Sequence, residues 1–551
     1  MTPKNELIFL PLGGSGEIGM NANLYGCDGK WLLVDLGMTF ADSELPGIDL
    51  VFPDLAFIEE RAKDLVGIVL THGHEDHIGA IPYLAADLGV PLYATRFTAG
   101  LIRHKLADEG VDGELKVHEV ERGEVVTLGP FRIRHVPLAH SIPEGNAVLI
   151  ETAYGTVFHT GDWKLDDAAV IGAPSTEAEL TRIGDAGVLA LVGDSTNVFH
   201  PEASGSEAGV RAGLEQAVAA ARGRVLVTTF ASNAARLHTL GEVARATGRR
   251  VVLAGRSVER NLKVAQGAGY LSDFPDAVSF DEAMTLPPRD VLVIATGGQG
   301  EPRAALARIA DGTHPVKLVR GDRVIFSTSQ IPGNEGAIGR VQNALAALGV
   351  EIVTAAQAHV HVSGHPGRPE LEAMFRWIHP RIAVPVHGER RHLEEHARLA
   401  RACGVPHAVV PVNGAAIRLA PGAPTVVAHQ KVGRLVLDGD VILPADGSTM
   451  VARRRLGLQG YLAVTLVLSG KGRLAAEPVI HLQGVPVEED RGEFIADCRK
   501  AAREAVNGGG RSDRELEDAV RQALRRVARE WTGKKPLIDV ALVRVSGAVC
   551  Q

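Results

Sequence analysis

The stretch "VLTHGHEDHIGAIPYL" places His72, His74, Asp76 and His77 within six residues. Imidazole and carboxylate are the groups that hold zinc or manganese, and His-x-His-x-Asp-His offers four of them on one loop. A single histidine is usually a satisfied polar residue; four metal-capable groups straight after a buried apolar run are a different matter. Protonated, such neighbours repel one another. A metal removes that penalty by taking the neutral imidazoles as donors. The chemistry within reach of this pattern is Lewis-acid catalysis and activation of water.

One loop cannot fill a metal's coordination shell, so further ligands are expected at other strand ends. His140 follows "RIRHVPLA", Asp162 sits in "VFHTGDWKLD", and His387 sits in "RIAVPVHGER". Each ends an apolar run where a turn begins, which is where a strand-built scaffold exposes functional groups. Seven ligands exceed one tetrahedral zinc and suit two ions that share a bridging carboxylate.

The elements that must position these groups can be read coarsely. Residues 6–40 give short strands with glycine turns, and "LVGIVLTHGHEDH" is a buried strand running into a loop and then a helix. From about residue 205, strands and helices alternate, as in βαβ units around a mostly parallel sheet. After residue 358 the histidine-bearing strand ends return in "AHVHVSGHPG" and "RIAVPVHGERRH". The expected division is a first domain over 1–200 that resumes, with linker strands, over 358–445. An α/β insert occupies 201–357, and a small α+β domain occupies 456–551. In that last domain Ser512 and Glu515 predict a capping box. Leu516, Val520, Leu524, Val527 and Trp531 then mark one helical face, a core or subunit-contact stripe.

Bulk properties narrow the class. With 551 residues, 45% of them apolar and 23% charged, the chain is globular and large enough for two to four domains. A formal charge of −8 gives no global basic field for coating nucleic acid, though a local basic channel remains open. Cys27, Cys403, Cys498 and Cys550 lie far apart, which fits a reducing compartment. The N-terminal apolar run is too short for a signal peptide and no run approaches a membrane span, so a cytoplasmic location is expected. "LGGSGEIG" (Gly13, Gly14, Ser15, Gly16, Glu17) lacks the P-loop lysine and the Rossmann spacing and reads as a glycine-rich turn.

"THGHEDH", His140, "GDW" with Asp162 and "VDLG" with Asp35 resemble the motifs of the metallo-β-lactamase superfamily, and the insert resembles a β-CASP domain. "GDSTN" with Asp194, "HVSGH" with His365, "VPVHGE" with His387, "TFASNAARL", "ATGGQGEP" and "IPGNE" sharpen this into a resemblance to bacterial ribonuclease J over essentially the whole chain. The implied fold is α/β: an αββα metallo-β-lactamase sandwich split by a β-CASP insert, with a small C-terminal α+β domain. The implied activity is hydrolysis of single-stranded RNA, both endonucleolytic and 5′→3′ exonucleolytic, in RNA processing and decay.

The resemblance also distributes the residues. His72, His74 and His140 would hold one divalent ion (Zn²⁺ or Mn²⁺), Asp76, His77 and His387 the other, with Asp162 bridging and Asp35 supporting ligands by hydrogen bonding. The departing 3′-oxygen needs a general acid; the candidate is His365, oriented by Asp194. Phe230, Ala231, Ser232 and Asn233 would face His361, Val362, Ser363, Gly364 and His365 across a pocket for a 5′-monophosphate. There Ser363 offers a hydroxyl and Gly364 a close backbone approach to an anion. Asp49 and Asp440 are candidate ligands of a structural calcium, and the C-terminal domain is expected to support a homodimer. Arg256, Arg260, Lys263, Arg303, Arg308, Lys317, Arg320, Arg390 and Arg391 could line a cleft for RNA phosphates. With 4% aromatic residues, binding should be led by the backbone rather than by base stacking. A small-molecule hydrolase would need neither the insert nor "HVSGH", a redox di-iron protein would need a flavin domain, and a metal-free RNA scaffold would have lost ligands. A DNA-directed nuclease is the nearest rival, because a backbone-led cleft hardly excludes DNA.

Overall fold

The computed structural model describes residues 4–42, 44–331, 333–507 and 512–545; Pro332 of "IPGNE" and Cys550 lie outside the described residues. The chain divides into a unit made of Met1–Thr39 with Val51–Gly433 and a second made of Phe40–Leu50 with Arg434–Gln551.

In the first unit two sheets face each other. One has eight strands; its centre is Leu7–Gly13, Ala22–Cys27, Lys30–Val34 and Leu65–Val69. The other has seven, including Phe131–Pro137, Asn146–Thr152, Gly155–His159, Ala190–Asp194 and Ile382–Val386. Their inner faces bury one continuous apolar core containing Tyr25, Val34, Val69, Val148, Val192 and Val384. Burial of that surface is the main stabilising contribution to the scaffold. The outer face of the seven-stranded sheet is covered by helices Glu177–Asp185, Arg368–Ile378 and Arg390–Ala402, through Leu180, Leu371, Phe375 and Leu399. The architecture is therefore αββα.

The sandwich is interrupted. Ala190–Asp194 pairs in parallel with Ile382–Val386, placing Asp194 opposite Val386, although almost two hundred residues separate the strands. Between them lies a separate five-stranded parallel sheet, ordered Arg250–Ala254, Val291–Ala295, Val225–Thr228, Arg323–Phe326, Glu351–Val353. Its strands are near-continuous Val, Ile and Leu, as a sheet covered on both faces requires, and it has its own core.

The second unit carries a sheet of Val479–Gln483, Tyr461–Ser469 and Leu537–Val545. Tyr461–Ser469 alternates buried and half-exposed residues, so one face is covered; helices Arg491–Val506 and Asp513–Thr532 share its core. The Ser512–Glu515 capping box forms as expected. The apolar stripe, however, is spent inside this unit. Leu516, Val520 and Leu524 are buried with Val464 and Phe494, and Val527 packs on the same core. Trp531 stays 36% exposed and donates its indole N–H to Asp497 (3.0 Å). Of the two readings, core or subunit contact, these residues follow the first, and helical period alone could not tell a partner from the domain's own sheet.

Candidate metal centre

The expected ligands lie at or just beyond strand ends along one rim of the sandwich. Asp35 follows Lys30–Val34, the His72–His77 loop follows Leu65–Val69, Asp162 follows Gly155–His159, and His387 follows Ile382–Val386. Parallel register brings them side by side, with Val34 opposite Val69, His159 opposite Val192 and Asp194 opposite Val386. Asp35 and His387 both adopt left-handed backbone, at φ +63° and +52°. Non-glycine residues there are uncommon and strained, and such strain persists where surrounding structure fixes it. Here His387 N donates to Gly14 O (2.7 Å) while Ser15–Gly16 pairs with Gly388–Glu389, so the glycine-rich N-terminal turn braces a ligand. Gly37 is required by close approach: a Cβ there would lie 1.7 Å from the carbonyl oxygen of Asp76.

The seven side chains converge in two groups that share one residue. His72, His74, His140 and Asp162 present donor atoms within 4.8 Å of one another, and so do Asp76, His77, Asp162 and His387. In the first group, His74 Nδ1 lies 3.0 Å from His72 Nε2 and 3.1 Å from His140 Nε2. Ring nitrogens around one tetrahedral zinc would stand about 3.3 Å apart, given Zn–N bonds near 2.0–2.1 Å. In the second, Asp76 Oδ2 is 2.9 Å from His387 Nε2 and 3.5 Å from His77 Nε2. Asp162 Oδ2 lies 3.2 Å from His77 Nε2 and 3.8 Å from His72 Nε2, and its buried Oδ1 has no hydrogen-bond partner. A buried carboxylate oxygen left unmatched among convergent imidazoles is what a pair of shared cations would satisfy. The residues present fit divalent metal.

Behind the donors, other groups fix the rings. His77 Nδ1 donates to Asp35 Oδ2 (2.7 Å), and His72 Nδ1 donates to Thr71 Oγ1 (3.0 Å), which itself donates to Asp35. His387 Nδ1 donates to Thr196 Oγ1 (2.8 Å), and His140 Nδ1 to the Gly364 carbonyl (2.6 Å). Each contact leaves Nε2 as the free donor, as metal-binding histidines require.

Charge divides the two groups. Burial pushes His72 and His140 well below the usual imidazole range and His74 down to about 4, so the first triad is neutral. Burial also disfavours charge on His77 and His387, but in both Asp162 and its fellow carboxylates outweigh it and hold the rings protonated. Asp76 is driven well below the carboxylate range, against the effect of burial, by His77 and His387.

His365 stands at the edge of the centre, its ring centroid 5.3 Å from that of His140 and 5.6 Å from that of His387. Its Nδ1 donates to Asp194 Oδ2 (2.8 Å). Burial lowers its basicity, yet Asp194 and Asp162 more than reverse that and raise it. Asp194, His365, His387 and Asp162 form a third close group, in which His365 is already claimed by Asp194.

The "HVSGH" turn differs in detail from expectation. Ser363 Oγ is engaged within the turn, accepting from Asn197 Nδ2 (2.8 Å) and His365 N (3.1 Å). The space beside Gly364 is filled by His140, whose Cε1 would lie 2.8 Å from an added Cβ. Gly364 therefore admits a metal ligand rather than leaving room for an anion. His361 Nε2 meets Ser329 Oγ (2.7 Å), its Nδ1 is buried without a partner, and burial with the nearby Arg236 pushes it down to about 3. Opposite, Phe230, Ala231 and Ser232 are half-buried, while Asn233 is buried and caps helix Ala234–Thr247 through Arg236 N (2.8 Å). Val362 is buried. Asp49 and Asp440, the candidate calcium ligands, are both exposed, and among the described residues neither joins a group of three His, Cys, Asp or Glu side chains. Of the basic residues, Arg260 reaches Asp108 and Glu75 beside Asp76, whereas Arg390 and Arg391 are paired with Glu394 and Glu389.

Sequence reasoning missed Thr71, Thr196 and Arg236. Arg236 is fully buried, bonded to Glu207 Oε1 (2.5 Å) and to the Val360 carbonyl (3.1 Å), which fixes the chain entering "HVSGH". A lone arginine among "NAARLHTL" carries no local signal of this. Thr71 and Thr196 lie within the quoted motifs "THGHEDH" and "GDSTN", and their hydroxyl oxygens were the available clue.

Fold and site together define a hydrolase of the metallo-β-lactamase class. Sequence models agree: a β-lactamase superfamily domain over 30–254, a ribonuclease J β-CASP domain over 222–345, a Zn-dependent metallo-hydrolase RNA specificity domain over 349–411, and a ribonuclease J C-terminal domain over 449–545. The chain is 42% identical to Ribonuclease J of Sinorhizobium meliloti across 99% of its length and 98% of that protein's. It is 38% identical to Ribonuclease J of Mycolicibacterium smegmatis across 97% and 96%. A crystallographic protein of unknown function from Enterococcus faecalis V583 shares the fold over 75% of this chain and all of its own, at TM-score 0.54 and 16% identity. The chain belongs to the ribonuclease J family.

Proposed function

We propose that this metal-dependent ribonuclease holds two divalent ions, Zn²⁺ or Mn²⁺, and hydrolyses single-stranded RNA from 5′-monophosphate ends in the 5′→3′ direction and also internally. The observation that carries the reading is Asp162, one carboxylate common to two complete donor groups. Ions bound there supply Lewis acidity, lower the pKa of water toward neutrality and offset charge on the phosphodiester. The protein's own residues do the rest. Thr71, Asp35, Thr196 and Gly364 hold the ligand rings in the correct tautomer. His365, kept protonated by Asp194 and Asp162, gives its proton to the departing 3′-oxygen, so the products carry a 5′-phosphate and a 3′-hydroxyl. His361 with Ser329, and the half-buried Phe230–Ser232 segment, line the place for the terminal phosphate. The split sandwich and the inserted sheet would form the catalytic body. Pairing of copies would then use surfaces of the C-terminal domain other than its buried stripe.

The test uses one end-labelled strand as 5′-monophosphate RNA, 5′-triphosphate RNA and matching DNA, with metal-stripped protein given Mn²⁺ or Zn²⁺. Mononucleotides should appear fastest from monophosphate RNA and disappear with His77→Ala. Equal or faster cutting of DNA would move the substrate assignment to DNA, and no cleavage of any strand would sink the nuclease reading.

A further inference from the structure

One unexplained concavity lies wholly within the C-terminal unit. It encloses about 550 Å³ and is lined by Arg455, Arg525, Arg526, Arg529 and Lys535, with Gln522, Asp539 and an apolar floor of Pro536, Leu537 and Ile538. Five cations thus face one carboxylate on a chain whose formal charge is −8. That carboxylate is already engaged, since Asp539 Oδ2 accepts from Tyr461 (2.9 Å).

Several surface arginines of this unit are quenched by neighbouring acids. Arg453 pairs with Asp438, Arg503 with Glu477, Arg521 with Asp518 and Arg544 with Asp513. The side chains of Arg455, Arg525, Arg526 and Arg529 make no hydrogen bond or ion pair among the described residues. Crowding unpaired guanidinium groups has a Coulomb cost, which a bound anion would reverse.

Geometry selects the kind of anion. Gln522, Arg525, Arg526 and Arg529 fall at i, i+3, i+4 and i+7 of helix Asp513–Thr532, one face spanning roughly 10 Å at 1.5 Å per residue. A row of that length suits a chain of phosphates rather than a single one. Guanidinium forks match phosphate oxygens in pairs. The lining contains no aromatic residue, so bases have nothing to stack on and sequence would not be read. We propose that this hollow is a second, sequence-indifferent binding site for the sugar-phosphate backbone of single-stranded RNA, separate from the metal centre. The proposal rests on the RNA-substrate reading above.

The test measures binding of a long fluorescent oligouridylate to the full-length chain by anisotropy over a range of NaCl, with chelator present to stop hydrolysis. The variants are Arg455→Gln/Arg525→Gln/Arg526→Gln/Arg529→Gln and the same four positions changed to Lys. Each phosphate contact in a single strand contributes about 0.7 to the slope of log K against log salt, so the Gln variant should lose close to three. Its affinity at low salt should fall at least tenfold, while the Lys variant keeps most of the slope. An unchanged slope in a folded Gln variant overturns the proposal. So does a variant whose sedimentation shows copies falling apart while the slope stays, because the hollow is then a contact between copies. Should the Gln variant fail to fold, 4-thiouridine RNA crosslinked to the unmodified chain decides: adducts on residues 522–539 support the site and their absence refutes it. Cleavage by the unmodified chain with Mn²⁺, run in parallel, judges the ribonuclease reading separately.

Discussion

Gly364→Ala adds one methyl group to the centre and should weaken its hold on one metal ion. The new Cβ would stand 2.8 Å from His140 Cε1, 3.0 Å from His140 Nδ1 and 3.2 Å from Ser141 Oγ, where ordinary contact begins at 3.4 Å. The imidazole must therefore retreat by about 0.6 Å, three times the tolerance of roughly 0.2 Å within which metal–ligand distances are kept. The same shift strains the 2.6 Å bond from His140 Nδ1 to the Gly364 carbonyl, which fixes the ring's tautomer. Loss of such supporting contacts typically weakens metal binding about 10–100-fold, or roughly 1.4–2.7 kcal/mol. The assay is titration of metal-stripped protein with Mn²⁺ or Zn²⁺, read as heat and as metal per chain after gel filtration. One ion should weaken by that factor and the other hold, with RNA hydrolysis falling in step. Unchanged affinity for both ions would show that His140 is not a ligand or that the turn moves freely, and would refute the reasoning.

Other outcomes follow from the same geometry. His365→Ala should lower kcat about 10²–10⁴-fold, the usual contribution of a general acid, while metal content holds. Because Asp194 and Asp162 stabilise the protonated His365 ring, activity should be present below its raised pKa and lost as pH rises through it. Asp194→Asn should move that alkaline limb to lower pH, and a pH–rate profile checks both. Metal entering the Asp76–His77–His387 group must displace protons from His77 and His387, so affinity there should rise with pH. Calorimetry in buffers of different ionisation enthalpy should count proton release at that group and little at the neutral His72–His74–His140 triad. Glu207→Gln leaves the buried Arg236 guanidinium without its counter-charge and should destabilise the protein by about 3–5 kcal/mol in urea unfolding. A loss below 1 kcal/mol would mean that the pair is not structural.

The ligands were legible in sequence because one loop carries four of them and the rest end apolar strands before a turn. Asp194 was legible for a weaker reason, motif resemblance, and only the parallel pairing of Ala190–Asp194 with Ile382–Val386 explains why it meets His387. What stayed hidden depends on neighbours distant in sequence. Thr196 matters through a residue 191 positions away, and Arg236 through Glu207 and Val360. Gly364 was read as room for an anion because a missing side chain says nothing about which group fills the space; it is His140. The Leu516–Trp531 stripe was ambiguous because amphipathic period records that a face is covered, not by what.

The proposed centre depends on one carboxylate, Asp162, shared by both donor groups. Mn²⁺ titration of metal-stripped wild type, His74→Ala and Asp162→Asn tests it most directly. Two ions should bind per wild-type chain, with one lost in His74→Ala and both weakened in Asp162→Asn together with RNA hydrolysis. A single ion in wild type, or two undisturbed ions in Asp162→Asn, would contradict it.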